Sequence, residues 1–171
     1  SRGLGDVYKR QVKNLPASTL KEKFLEVLRT TKQNVFILAA KKGEEKHAMT
    51  VSSVFSVSLE PMSMMVSVNQ QAGIHDVLRV NDKFSLNLLA SNQIEIAEIC
   101  SGSEEGQVRF EHDDWEMEEI PYLKNAQSNL FCSCKKIIPL YSHSLVIGEV
   151  DKIFHSGNMN PLIYQDGKYV S

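Results

Sequence analysis

His47-Ala48-Met49-Thr50-Val51-Ser52-Ser53-Val54-Phe55-Ser56-Val57-Ser58-Leu59-Glu60-Pro61 is the stretch on which the reading of this chain turns. Successive residues of a strand face opposite sides. Met49, Val51, Phe55, Val57 and Leu59 therefore fall with Ser53 on one side, an apolar face suited to a core. Ala48, Thr50, Ser52, Val54, Ser56 and Ser58 fall on the other. That row of short hydroxyls can stand in water, pair with a neighbouring strand, or turn toward a ligand rich in donors and acceptors. Pro61 cannot donate to a ladder and ends the strand.

Working outward, residues 34–40 form a dense apolar run. A charged, glycine-containing connection over residues 41–46 joins that run to the central strand, which predicts a β-hairpin. Residues 64–68 read as the next strand, and three strands with short links argue for an antiparallel sheet or barrel. Further strands are predicted at residues 84–89, 130–138, 144–150 and 162–164, with a turn at Gly157-Asn158. Among the helices, the first follows Pro16, with Ser18 or Thr19 as cap and Glu22 three residues beyond Thr19. Its Leu20, Phe24, Val27 and Leu28 share a face expected to pack on the sheet. A short helix carries Ile74, Val77 and Leu78, and Gly73 just before it leaves backbone N–H groups that favour an anion. Another, capped by Ser91 or Asn92, carries Ile94, Ala97 and Ile99, and residues 101–106 close it as a loop. Residues 109–122 are acidic and irregular, a long ordered loop anchored by Phe110 and Trp115 outside the core. Residues 1–11 show no periodicity and read as a non-native or disordered leader.

A chain of 171 residues fits one domain, taken as residues 12–171. At this size folding buries roughly two-thirds of the surface of the unfolded chain, enough for a core without metal or disulfide. A net charge of −2 supplies no basic footprint for nucleic acid and no patch for anionic lipid. No apolar run approaches the roughly 20 residues that span a bilayer, and no secretory signal opens the chain. A cytoplasmic location is expected. The three cysteines are an odd number, and Cys132 and Cys134 have the period of two that places both sulfurs on one side of a strand, so reduced thiols are expected beside Cys100. Three adjacent residues, His112, Asp113 and Asp114, cannot all reach one ion, and no zinc, hydrolase, Rossmann or Walker motif is present.

Ala48-Met49-Thr50-Val51-Ser52-Ser53 followed by Ser56-Val57-Ser58-Leu59-Glu60-Pro61 resembles the strand and turn of the flavin reductase-like family. Other pieces follow in that family's order: Asn69, Phe84-Ser85-Leu86-Asn87-Leu88-Leu89, Arg109-Phe110, Pro121 with Leu123 and Ala126, Cys132, His143 with Ile147-Gly148-Glu149-Val150, and Pro161-Leu162-Ile163-Tyr164. The resemblance spans residues 20–170 and implies a mainly β fold, an antiparallel FMN-binding split barrel with a few short helices. It implies hydride transfer from NADH or NADPH to FMN, FAD or riboflavin, with the reduced flavin supplied to a partner such as a monooxygenase component. It also implies a homodimer.

The resemblance further implies that Met49, Thr50, Val51, Ser52 and Ser53 face the flavin ring, with Ser67, Val68 and Asn69 contributing from the neighbouring strand. Preorganised donors there would stabilise the charge of a reduced flavin. For the phosphate, similar proteins use small hydroxyl residues where this chain has Gln70-Gln71-Ala72-Gly73-Ile74-His75. The work is transferred to N–H groups near Gly73 and Ile74, with Gln71 or His75. His143 matches a histidine that approaches flavin and nicotinamide, although Tyr141-Ser142 replace the usual Gly-Asp before it. Arg109 suits a phosphate or dinucleotide. Two alternatives stand beside this reading: a flavin-retaining electron-transfer or sensor module without free-flavin turnover, and a pyridoxamine-phosphate oxidase-like or deazaflavin-dependent enzyme in the same barrel.

Overall fold

The computed structural model describes residues 17–102 and 106–170. Helix α1 (Ala17–Thr30) leads through β1 (Gln33–Asn34) to β2 (Phe36–Lys42), and a tight Gly43-Glu44 turn returns the chain as β3 (Glu45–Val51). Gly43 has φ +60°, a conformation that glycine adopts without steric cost. There follow β4 (Val54–Leu59), β5 (Met62–Asn69), α2 (Gly73–Val77), β6 (Lys83–Leu88), α3 (Ile94–Ser101), a 3-10 turn (Gly106–Phe110), β7 (Trp115–Met117), β8 (Pro121–Leu123), β9 (Ser128–Leu140), β10 (His143–His155), β11 (Ile163–Gln165) and β12 (Lys168–Val170).

Seven strands form one antiparallel sheet in the order β3-β2-β6-β9-β10-β5-β4, and two smaller sheets, β1-β11-β12 and β7-β8, flank it. The fold is mostly antiparallel β with few short helices, as expected from the sequence. Its edge strands are consecutive in the chain, which requires the sheet to roll until β3 and β4 come together. Ser52 and Ser53 make that passage, and Ser67 N donates to Ser53 O at 3.1 Å to join the two sides.

The central stretch is therefore not one strand. It breaks at Ser52-Ser53, and its halves serve opposite edges. In β3 the expected alternation holds: Met49 and Val51 face the interior with Phe36, Leu38, Val66, Val68, Phe84, Leu86, Cys132, Cys134 and Val146. In β4 it fails, because Phe55, Val57 and Leu59 are exposed, Leu59 by 84%. An edge strand beyond the point of closure has nothing among the described residues to cover it.

The outer side of β2 and β3 carries a second core. Val35, Ile37, Ala39 and Ala48 pack with Ile96, Ala97 and Cys100 of α3 and with Leu89, Leu123 and Leu162. Phe110 and Trp115, expected to anchor a loop outside the core, belong to this cluster. Their rings lie 4.8 Å apart, and Trp115 Nε1 donates to Arg109 O at 2.7 Å, so the indole satisfies its donor while buried.

Three further expectations are corrected. Ser18 and Thr19 lie within helix α1 (Ala17–Thr30) rather than at its cap. Its Leu20, Phe24, Val27 and Leu28 do not pack on the sheet but stand exposed. Helix α3 has Gln93, not Ser91 or Asn92, at its N-cap, and Gln93 Oε1 accepts from Ala90 N at 2.9 Å. The leader expected over residues 1–11 lies outside the described residues, as do residues 103–105 of the predicted loop.

Candidate functional site

A cleft of about 630 Å³ opens where β3, α2 and the C-terminal end of α3 meet the 3-10 turn. Its lining brings together Met49, Thr50, Gly73, Ile74 and Arg109 of the predicted residues, with His47, Gln71 and Cys100 among the others. Among the described residues no carboxylate lines it. The volume falls inside the roughly 300–1,000 Å³ typical of small-molecule sites.

The remaining predicted residues lie elsewhere. Val51 and Val68 are buried in the interior cluster, where only their main chain can serve a ligand. Ser52 and Ser53 form the passage between sheet edges, and Ser67 is held to Ser53 through its backbone. Asn69 Oδ1 accepts from Gln71 N at 2.9 Å, which fixes the turn into α2. His75 turns away from the cleft: its Nε2 lies 3.0 Å from Ser144 Oγ, tying α2 to β10. His143 opens β10 opposite Asn69, with an exposed side chain and Nδ1 2.9 Å from Ser142 Oγ. Its carbonyl accepts from Gln70 Nε2 at 2.8 Å.

The hydroxyl side of the central strand, expected to be open to water, a strand or a ligand, is covered by a helix along β3. Thr50 Oγ1 donates to Ala97 O at 2.7 Å, so this hydroxyl is committed to α3 and positions the cleft wall. Arg109 is likewise built in: Nη1 donates to Ala48 O at 2.6 Å and Nη2 to Gly102 O at 2.7 Å. These contacts tie the 3-10 turn to β3 and to the end of α3 while holding a permanent positive charge at the wall.

Cys100 contributes a thiol that burial pushes up to about 12, with the Arg109 charge pulling the other way. It stays protonated at neutral pH and is no nucleophile. Cys132 and Cys134 lie together in the interior cluster, as their spacing predicts, and all three thiols are free.

Sequence reasoning missed His47 and Cys100. The signal for His47 was present: a period of two from Met49 carries it to the same side of β3. Cys100 carries no comparable signal, because its place depends on how α3 docks. His47 Nε2 lies 3.0 Å from Glu45 Oε1. Its ring rests against Gly73, where an added Cβ would come within 3.0 Å of Cε1 and Nδ1.

The rolled sheet thus makes a small antiparallel β protein with a cleft beside β3 and the Arg109 guanidinium at its wall. The chain belongs to the flavin reductase like domain family, which residues 28–171 match. It is 29% identical over 160 residues to the reductase component of FADH(2)-dependent resorcinol hydroxylase from Rhizobium sp. (strain MTP-10005), covering 91% of this chain and 89% of that protein. It is 28% identical over 145 residues to the reductase component of 4-hydroxyphenylacetate 3-monooxygenase from Thermus thermophilus, covering 85% and 92%. The solved NADH:FAD oxidoreductase of Streptomyces globisporus C-1027 superposes with a TM-score of 0.83 at 21% identity, covering 92% of this chain and 96% of that one. At that identity the superposition speaks for the fold.

Proposed function

We propose that this chain is an NAD(P)H-dependent flavin reductase that binds FMN or FAD in the cleft beside β3 and supplies reduced flavin to a partner oxygenase. The observation that carries the reading is the cleft itself, formed by the one segment through which the sequence most resembles flavin reductases. Its volume, the Arg109 guanidinium at its wall and the missing side chain at Gly73 suit a flat aromatic ligand bearing a phosphate. Two curated relatives bear the names of reductase components of hydroxylating systems, which supports the oxygenase partner.

When bound, the flavin would accept a hydride from the nicotinamide and carry the electrons away. The chain's residues bind and orient. Met49 and Thr50 supply the wall, with Ser52, Ser53 and the backbone of Val51, Ser67, Val68 and Asn69 extending it along the passage between sheet edges. Gly73 and Ile74 offer backbone N–H groups, Arg109 adds positive charge, and His75 braces α2 against Ser144. His143, across the ladder from Asn69, aligns the nicotinamide.

The test is NADH and NADPH oxidation with added FMN, FAD or riboflavin. Acceleration by free flavin supports the reading, and a yellow protein that accelerates nothing points instead to an electron carrier. His143→Ala is expected to lower kcat about tenfold through lost alignment, with flavin affinity unchanged. Equal loss of both removes the assigned role.

Homodimerisation and a cytoplasmic location belong to the same proposal. Among the described residues no helix is long and apolar enough to cross a membrane. The exposed Leu20, Phe24, Leu25, Val27 and Leu28 of α1, with Phe55, Val57 and Leu59 of β4, form apolar surface that a second copy would cover. Phe24→Glu is expected to shift the chain from dimer to monomer in light scattering with size exclusion. An unchanged mass would count against α1 as the contact.

A further inference from the structure

We infer that Tyr141 is a specificity-determining residue, the aromatic side chain on which a planar ring of the nicotinamide dinucleotide stacks as it reaches His143. This rests on the flavin reductase reading above. Leu140 and His143 pair across β9 and β10, so Tyr141 and Ser142 alone make the connection between the two strands. Tyr141 has φ +54°. Glycine and asparagine fill such positions of two-residue hairpins with little strain, whereas a bulky side chain is held there at a cost. Asn81 and Asp166 are the other non-glycine residues with positive φ among those described, and both are types that tolerate it. Tyrosine is not.

The Tyr141 side chain offsets none of that cost through contacts in the fold. It is 94% exposed, stacks on no other ring and makes no hydrogen bond among the described residues. A strained conformation persists only where its surroundings over-determine it, and such residues cluster at ligand sites. Gln70 supplies the constraint: its backbone N donates to Ser142 O at 3.0 Å and its Nε2 to His143 O at 2.8 Å. His75 Nε2, 3.0 Å from Ser144 Oγ, ties the same end of β10 to α2. Gln71, next in the chain after Gln70, lines the cleft. The hairpin tip is therefore fixed beside the cleft, with an exposed aromatic ring two residues from the exposed His143. A planar heteroaromatic ring is the group that such a side chain rewards, through offset stacking that glycine at this position does not supply. With the flavin on the wall formed by β3, the dinucleotide is the ligand that brings such a ring to His143.

The dinucleotide carries two such rings, nicotinamide and adenine, and the test separates them. Oxidation of NADH or NADPH, whichever the wild type uses, is measured with FMN as acceptor in the wild type, Tyr141→Gly and Tyr141→Phe, and again with reduced nicotinamide mononucleotide as donor. FMN binding by flavin fluorescence, Tm and mass by light scattering are recorded alongside. Tyr141→Gly raises the KM for the dinucleotide about fivefold, as loss of one stacking contact requires, while FMN affinity stays within about twofold. Its Tm is unchanged or higher, because glycine suits the turn. Tyr141→Phe keeps the ring and holds the KM within about twofold of the wild type. A matching rise with the mononucleotide assigns the stacked ring to nicotinamide, and a rise with the dinucleotide alone assigns it to adenine. An unchanged KM, FMN weakened as much as the dinucleotide, or a lowered Tm overturns the assignment of Tyr141 while leaving the activity standing. So does a fall from dimer to monomer in Tyr141→Gly, which would give the ring to a second copy. A wild-type chain that oxidises neither dinucleotide with any flavin overturns both readings.

Discussion

Asn87→Ala is expected to lower unfolding stability by roughly 3–5 kcal/mol, because it strands several buried polar groups at once. Asn87 is fully buried in β6. Its Nδ2 donates to Ile37 O and to Ser85 Oγ, both at 2.9 Å, and its Oδ1 accepts from Leu123 N at 3.0 Å and from Asn129 Nδ2 at 2.8 Å. One side chain thus links β2, β6, β8 and β9, and Ser85 extends the network to Pro121 O at 2.6 Å. The alanine leaves those buried donors and acceptors without the partner that joined them. Urea unfolding followed by tryptophan fluorescence measures the effect, and a loss below about 1 kcal/mol would show that the network is dispensable.

Gly148→Ala is expected to cost about 3 kcal/mol and to lower Tm by roughly 6–12 °C. Gly148 lies in β10 where the register with β9 shifts. A Cβ there would stand 2.4 Å from Phe84 Cζ and 2.8 Å from Cys132 Cβ, and both residues are fully buried. Cys132 Cβ is held by its own backbone and cannot swing aside, so the β9–β10 pair or the Phe84 ring must move. The double variant Gly148→Ala with Phe84→Leu is expected to recover part of the loss, since it removes the nearer obstacle. No recovery would place the strain at Cys132 instead.

Much of the fold was legible because it rests on local rules. The β2–β3 hairpin follows from an apolar run, a glycine-containing turn and alternation. The strands β5, β6, β9 and β10 follow from apolar segments bounded by turn residues. The burial of Cys132 and Cys134 on one side follows from a period of two. The acidic segment around residues 109–122 misled, because its composition is that of a solvated loop while two aromatic residues bury themselves under α3.

The errors on β4 and α1 share a cause. Alternation in Phe55, Val57 and Leu59 and the helical spacing of Leu20, Phe24, Val27 and Leu28 report that a face is to be covered, not by what. Nothing among the described residues covers those faces. The candidate site was half legible: Met49, Thr50, Gly73, Ile74 and Arg109 do come together, while His75 and His143 do not line the cleft.

By itself the sequence determined the element types, the antiparallel succession and the family, because periodicity, turn chemistry and ordered motifs are properties of neighbouring residues. The tertiary structure alone decided that Ser52-Ser53 is a passage between sheet edges, that Thr50 spends its hydroxyl on α3, and that the His47 ring rests against Gly73. Those outcomes depend on how far the sheet rolls and which helix closes over it, distances set by packing between segments remote in the chain.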